Sequence, residues 1–264
     1  MKIAISGKGG VGKTLLAAYL SKMFADDGYS VLAIDADPDA NLAATLGFPN
    51  PESIVPISDM KDLVEERTGT GSGKPTPYFK LNPKVDDLPE KYAVKYNGLR
   101  LMRMGRVKQG GSGCYCGENT LVRSLLAHLL LARDEIIILD TAAGIEHLSR
   151  GTARAVDKLI IVVEPGRRSI ETAREITKLA QDIGITNLAI AGNKIRSDAE
   201  KKYIISQLPG YELLGFISFD QSIIDADLSN RSVLEASQNV KEEIKKIYLA
   251  LLASQPKISG NRVN

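Results

Sequence analysis

The sequence predicts an α/β fold, a mostly parallel central sheet of about seven or eight strands with helices on both faces. Three observations predict it. Short apolar runs such as KIAIS, EIIILD and KLIIVV lack polar alternation, as strands covered on both faces do. Longer stretches with helical periodicity alternate with those runs. A glycine-rich turn, GKGGVGKT, joins the first run to the first helix.

Taken in order, residues 2–6 read as a buried strand, and the apolar-periodic LLAAYLSKMFAD that follows the glycine turn reads as a helix over 14–26. SVLAID predicts the second strand, 30–35. Further strands are expected at 99–104, 135–140, 158–163, 188–193 and 213–217. Helices are expected at 120–132, 169–183, 198–208 and 239–253, the last of them a packed terminal helix. Residues 49–97 break the rhythm with Pro49, Pro51, Pro56, Pro75, Pro77, Pro83 and Pro89, and with the run TGTGSG. They read as a partly ordered insertion at the sheet edge within one domain spanning 1–264. The polar tail, 255–264, is expected to fray.

Composition narrows the function classes. The 264 residues are 44% hydrophobic and 25% charged, an ordinary globular profile. A net charge of +2 makes no bulk electrostatic case for nucleic acid. Two cysteines exclude a disulfide framework and fit a reducing compartment. No secretory leader is visible, and no apolar run approaches the ~20 residues that span a bilayer. The expectation is a cytoplasmic protein.

Gly7-Lys8-Gly9-Gly10-Val11-Gly12-Lys13-Thr14 matches G-x-x-x-x-G-K-[ST] between a strand and a helix, the context that marks a phosphate-binding loop and a P-loop NTPase. Backbone amides of such a loop wrap phosphates, and the helix N-terminus adds positive potential. Lys13 is expected at the β and γ phosphates, and the Thr14 hydroxyl on Mg²⁺. Two carboxylate turns follow strands, where such sheets face their ligands. In Asp35-Ala-Asp37-Pro38-Asp39, Asp35 is expected in the Mg²⁺ shell. Asp39 is the weaker candidate and reads equally as a cap for a helix near Asn41. Asp140, ending EIIILD before Thr141-Ala142-Ala143-Gly144, is the second expected Mg²⁺-linked carboxylate. Gly144 is expected to give the backbone freedom to sense the γ-phosphate. Asn193-Lys194-Ile195-Arg196 has Arg where guanine recognition needs Asp, which favours ATP, with Asn193 hydrogen-bonding adenine.

Lys8, directly after the first glycine, marks a deviant form of the loop. It resembles that of a family of nucleotide-dependent dimers: septum-positioning and plasmid-partitioning ATPases, the arsenite pump ATPase and the nitrogenase iron protein. The resemblance implies that Lys8 contacts phosphates bound in a partner subunit, and that Asp37 orients the attacking water.

The two cysteines, Cys114 and Cys116, lie in GCYCG. Thiolates suit Zn²⁺, Ni²⁺, Cu⁺ or iron–sulfur clusters, yet C-x-C supplies only half of a four-thiolate site. His128 lies in the apolar LVRSLLAHLLLA and reads as a packed helix residue; His147 stands as a distant candidate ligand. Two readings stand side by side: reduced cysteines at a helix start with no metal, or a Cys₄ site completed by a second copy on a two-fold axis.

KGGVGKT, DADPD, MKDLVEERTG, LNPKVDDLPEKY, CYCGEN, GIEHLSRGTARAVD and EPGRRSIETA together resemble the nickel-inserting accessory ATPases of carbon monoxide dehydrogenase and acetyl-CoA synthase maturation. That resemblance covers most of the chain. It implies a homodimer formed with ATP, Ni²⁺ (or Zn²⁺) held by Cys114 and Cys116 of two subunits, and delivery to one of those client enzymes linked to hydrolysis. The alternative is a positioning or partitioning ATPase with a regulatory zinc site. Against a membrane or DNA role, the last helix is followed only by SQPKISGNRVN, which has no apolar face, and basic residues are scattered.

Overall fold

The computed structural model describes residues 1–70, 80–105, 116–145, 148–229 and 231–254. Its elements run β1 (Lys2–Gly7), α1 (Lys13–Asp26), β2 (Val31–Ala36), α2 (Leu42–Thr45), α3 (Lys61–Thr68), α4 (Leu88–Tyr92), β3 (Val94–Tyr96), β4 (Leu99–Arg103) and α5 (Cys116–Ala132). They continue β5 (Ile136–Thr141), α6 (Arg150–Ala153), β6 (Lys158–Val163), α7 (Arg167–Ile183), β7 (Leu188–Ile195), α8 (Asp198–Gln207), β8 (Glu212–Ser218), α9 (Gln221–Leu228) and α10 (Gln238–Ala253).

Eight strands form one sheet in the order β3-β4-β2-β5-β1-β6-β7-β8. Every pairing is parallel except β3 with β4. Alternate residues feed opposite layers, as the pleat requires. Ala4, Leu32, Ile34, Ile137 and Leu139 pack under α3, α5 and α7, with Val64, Leu121, Leu125 and Ile170. Ile3, Ile5, Ala33, Ile136 and Ile138 pack under α1 and α10, with Leu16, Leu20, Phe24, Ile244 and Ile247. Burial on both faces is why these strands read as unbroken apolar runs.

The expected strands and long helices all occur, with ends shifted by a few residues. The helix expected over 120–132 begins four residues earlier, at Cys116. The edge hairpin was not expected. Val94–Tyr96 is too short and exposed to show a hydrophobic pattern, but Asn97 and Gly98 both have positive φ, 46° and 76°, and link β3 to β4. An Asn-Gly pair between extended residues is a strong hairpin signal. The 49–97 stretch thus supplies the sheet's antiparallel edge strand, and α3 is packed on α5 through Leu63 and Val64. The expectations for TGTGSG beyond Thr70, for Cys114 and the Cys116 side chain, for His147 and for the tail lie outside the described residues. His128 is half-buried on α5. Among the described residues no helix is long and apolar enough to cross a membrane.

Candidate functional site

Strand order places the site. From β1 the chain runs to β2 on one side, while from the neighbouring β5 it crosses to β6 on the other, and ligands of such sheets bind where the order reverses, at the strands' C-terminal ends. Parallel register sets Asp35 directly beside Asp140, and Asp140 beside Ile5 at the root of the loop. Residues far apart in sequence thereby converge on one crevice.

The loop needs its glycines where the backbone demands them. Gly7 has φ of 150°, and a Cβ there would sit 2.4 Å from the Val162 carbonyl oxygen. Gly12 has φ of 96°, and its Cβ would lie 2.1 Å from Asn193 Nδ2. Both positions exclude side chains by conformation and by space. Lys13 opens α1, is buried, and holds Nζ 3.9 Å from Asp37 Oδ2. Thr14 Oγ1 donates to Asp140 Oδ2 at 2.6 Å.

Asp35 and Asp140 are 1% and 0% exposed. Asp35 Oδ1 accepts from the Asp37 amide at 3.3 Å, and Oδ2 from the Leu42 amide at 3.0 Å. Burial nevertheless pushes its pKa up to about 6. Burial pushes Asp140 to about 7, against the opposing hydrogen bond from Thr14. Asp140 Oδ1 is buried and has no hydrogen-bond partner among the described residues. A buried carboxylate oxygen without a donor is costly. Beside the Thr14 hydroxyl it has the chemistry to support a hard divalent cation directly or through its water shell. The donor set present fits Mg²⁺. Asn41, not Asp39, holds the N-cap position of α2, while the Asp39 amide donates to Asp37 Oδ1 at 3.0 Å. Ser6 Oγ and Thr141 Oγ1 both donate to the Gly144 carbonyl, at 2.8 and 2.9 Å, and tie the second acidic turn to β1.

Lys8 Nζ pairs with Glu164 Oε1 at 3.1 Å. Glu164 also receives Lys194 Nζ at 3.3 Å, and the same ammonium donates to the Gly10 carbonyl at 2.6 Å. Sequence reasoning missed Glu164 and this use of Lys194. Nothing local marks them, since Glu164 lies at the end of β6 and meets the loop only through sheet order.

Asn193 is buried, with both ends of its amide engaged: Nδ2 donates to the Val11 carbonyl at 2.7 Å, and Oδ1 accepts from the Lys194 amide at 2.8 Å. Here it braces the phosphate loop and holds Lys194 at a φ of 58°, unusual for a residue with a side chain. Beside it opens a cavity of about 310 Å³ lined by Gly12, Leu15, Asn193, Ser218, Phe219 and Ile223, a size and polarity that suit a nucleotide base. Ser218 is held by Glu243, through its amide at 2.7 Å and its hydroxyl at 2.8 Å. Arg196, standing where guanine recognition needs Asp, lies over the Phe219 ring at 4.2 Å. Asn193→Ala should cost about 1–3 kcal/mol of stability, because two buried hydrogen bonds are lost. It should weaken binding of ATP and of inorganic tripolyphosphate equally, measured by calorimetry. A loss confined to ATP would instead make Asn193 a base contact.

Comparison with known proteins agrees with this geometry. Residues 2–233 match the CobQ/CobB/MinD/ParA nucleotide binding domain. The chain is 45% identical over 254 residues to the carbon monoxide dehydrogenase accessory protein CooC of Rhodospirillum rubrum, covering 96% of each. It is 45% identical over 250 residues to the uncharacterized ATP-binding protein MJ0823 of Methanocaldococcus jannaschii, covering 94% of this chain and 96% of that protein. Its fold superposes on a chain of the MinC:MinD cell division protein complex of Aquifex aeolicus with a TM-score of 0.69, at 23% identity and 98% coverage of both chains. A deviant phosphate loop, two in-register carboxylates and a match from Lys2 to Val233 lead to one conclusion: this chain is an ATPase of the CobQ/CobB/MinD/ParA nucleotide-binding family.

Proposed function

We propose that this ATPase is a maturation factor that handles nickel for carbon monoxide dehydrogenase or acetyl-CoA synthase. The observation that carries the proposal is the 45% identity, over 96% of both chains, to an accessory protein of carbon monoxide dehydrogenase. The chain's two cysteines, Cys114 and Cys116, supply thiolates for the metal, which is cargo rather than a resident cofactor. One C-x-C pair is half of a four-thiolate site, and two copies of the chain complete it.

The positions of the chain's own residues support the following roles. Loop amides and Lys13 bind and orient the β and γ phosphates of ATP. Thr14 and Asp140, with Asp35 beside them, hold Mg²⁺, which supplies neutralisation of phosphate charge when bound. Asp37, at the mouth of the crevice, positions the attacking water. Such positioning and charge neutralisation are most of what phosphoryl transfer requires. Lys8 reaches the partner's phosphates once its pair with Glu164 opens. The Lys8 side chain is 37% exposed, and an ion pair this accessible contributes at most about 1 kcal/mol, so the transfer is easy. Metal and nucleotide each favour the closed dimer, and hydrolysis reverses that preference.

Size-exclusion chromatography with light scattering tests the proposal. Ni²⁺ should convert wild-type monomer to dimer at one ion per two chains, and Cys114→Ser should abolish both uptake and dimerisation. Nickel bound one per monomer, or bound equally by the mutant, would refute the shared thiolate site.

A further inference from the structure

Three neighbouring strands, in the order β1-β6-β7, reach the mouth of the phosphate loop together. Parallel register sets Gly7 beside Val162 and Val163 beside Gly192. Lys8 therefore follows β1, Glu164 follows β6, and Lys194 lies near the end of β7. The carboxylate of the middle strand stands between a lysine from either side. Lys8 Nζ meets Glu164 Oε1 at 3.1 Å and Lys194 Nζ meets Oε2 at 3.3 Å, so each ammonium takes its own oxygen.

The backbones of all three are held. The Glu164 amide donates to the hydroxyl of buried Ser169 at 3.0 Å. Gly7, just before Lys8, lies against the Val162 carbonyl too closely for any Cβ. Lys194 keeps its positive φ through its amide bond to Asn193 Oδ1. Its ammonium has a second hold, on the Gly10 carbonyl at 2.6 Å. That hold keeps Lys194 at Glu164 whether or not Lys8 is there. The Lys8 side chain is partly exposed, so it is the member of the trio that can leave.

We propose that Glu164 is a positioning residue for the ATPase reaction, retaining Lys8 over its own loop until a partner's phosphates draw it away, and that Lys194 is the standing counter-ion that lets it go. This inference rests on the reading that Lys8 serves phosphates bound in the partner subunit. When Lys8 leaves, a bare Glu164 carboxylate would repel the triphosphate beside it. Lys194 stays on the second oxygen and neutralises that charge, and while Lys8 is in place Lys194 also repels it. Without Lys194, the carboxylate would hold Lys8 more firmly. The two residues thus act with opposite sign: Glu164 opposes closure of the dimer and Lys194 favours it. An ion pair this accessible shifts an equilibrium by about threefold. A symmetric dimer opens two such pairs, so its dissociation constant should move by about tenfold.

The protein concentration that gives half-maximal hydrolysis per chain, at saturating Mg²⁺-ATP and without added nickel, reads this equilibrium. Sedimentation with Mg²⁺ and a non-hydrolysable ATP analogue checks it. Glu164→Gln should lower that concentration by about tenfold, and Lys194→Met should raise it by about as much. Lys194→Met also loses the bond to the Gly10 carbonyl, so the double variant decides between the two causes. In a Glu164→Gln background, Lys194→Met should change the concentration by less than about twofold, because the carboxylate it neutralises is gone. A full-sized effect persisting in the double variant overturns the proposal. So does a shift of both single variants in the same direction, as a merely structural role would give, or Glu164→Gln equal to wild type. Lys8→Ala separates the proposal from the reading beneath it. If Lys8→Ala hydrolyses ATP with the rate and concentration dependence of wild type, the reading of Lys8 across the dimer fails, and the proposal with it. If Lys8→Ala loses both while Glu164→Gln matches wild type, only the role of Glu164 fails.

Discussion

Lys13→Ala should lower ATP hydrolysis by about 10²–10³-fold, because it removes the one side-chain ammonium held at the phosphate crevice by both helix start and burial. Lys13 is 5% exposed and opens α1 directly after Gly12, so no neighbouring lysine can take its position. Lys8 and Lys194 are engaged by Glu164 on the other side of the loop. The variant also takes a cation away from Asp37, 3.9 Å from the ammonium, and from Asp140, whose pKa the charge of Lys13 helps to lower. Hydrolysis should therefore fall while nickel uptake through the cysteines persists. Steady-state phosphate release and nickel titration on the same preparation check this. Parallel loss of both would point to misfolding, and retention of hydrolysis above a tenth of wild type would remove Lys13 from the phosphate site.

Asp140→Asn should abolish Mg²⁺-dependent hydrolysis and at the same time stabilise the nucleotide-free protein. Asp140 has one oxygen bonded to Thr14 and one with no partner among the described residues, in a fully buried position. Its pKa is raised by burial from 3.8 to about 7, and that of Asp35 to about 6. A carboxyl with a raised folded pKa keeps its proton longer when folded. The stability it contributes is full below about pH 4 and is lost as pH rises through about 7. At pH 8 the ionised, unpaired carboxylate is a liability that asparagine lacks, while its amide oxygen still accepts from Thr14. Nucleotide-free Asp140→Asn should gain about 1–3 kcal/mol over wild type at pH 8 and much less at pH 5. Thermal melts at the two values, with and without Mg²⁺-ATP, check it. A variant destabilised at pH 8 would overturn the reading of Asp140 as an unpaired buried carboxylate. This trade of stability for a cation-ready oxygen is common at functional sites.

The phosphate loop was fully legible in sequence because its geometry is local: consecutive glycines, a lysine and a threonine between a strand and a helix. The carboxylates Asp35 and Asp140 were legible for a related reason, since each ends an apolar strand. The hairpin at Asn97–Gly98 carries a readable turn signal, but the strand before it is only three residues long, two of them exposed, and shows no hydrophobic pattern. Asn193 shows a different limit. The residue type permits the expected adenine contact, while its bonds to the Val11 carbonyl and the Lys194 amide, which use one donor and one acceptor position of the amide, have no local pattern that announces them.

By itself, then, the sequence determined the α/β alternation, the nucleotide loop, the two acidic turns and the lone thiolate pair. Each of these is written in neighbouring residues, where backbone preference and side-chain period act directly. Tertiary structure alone decided that Asp35 stands in register with Asp140, that Glu164 receives both Lys8 and Lys194, and that Ser58 closes on Gly105 and Thr70 on Gly117. The physical reason is that those contacts depend on strand order and helix packing, which join residues tens to more than a hundred positions apart and leave no periodic trace in any one segment.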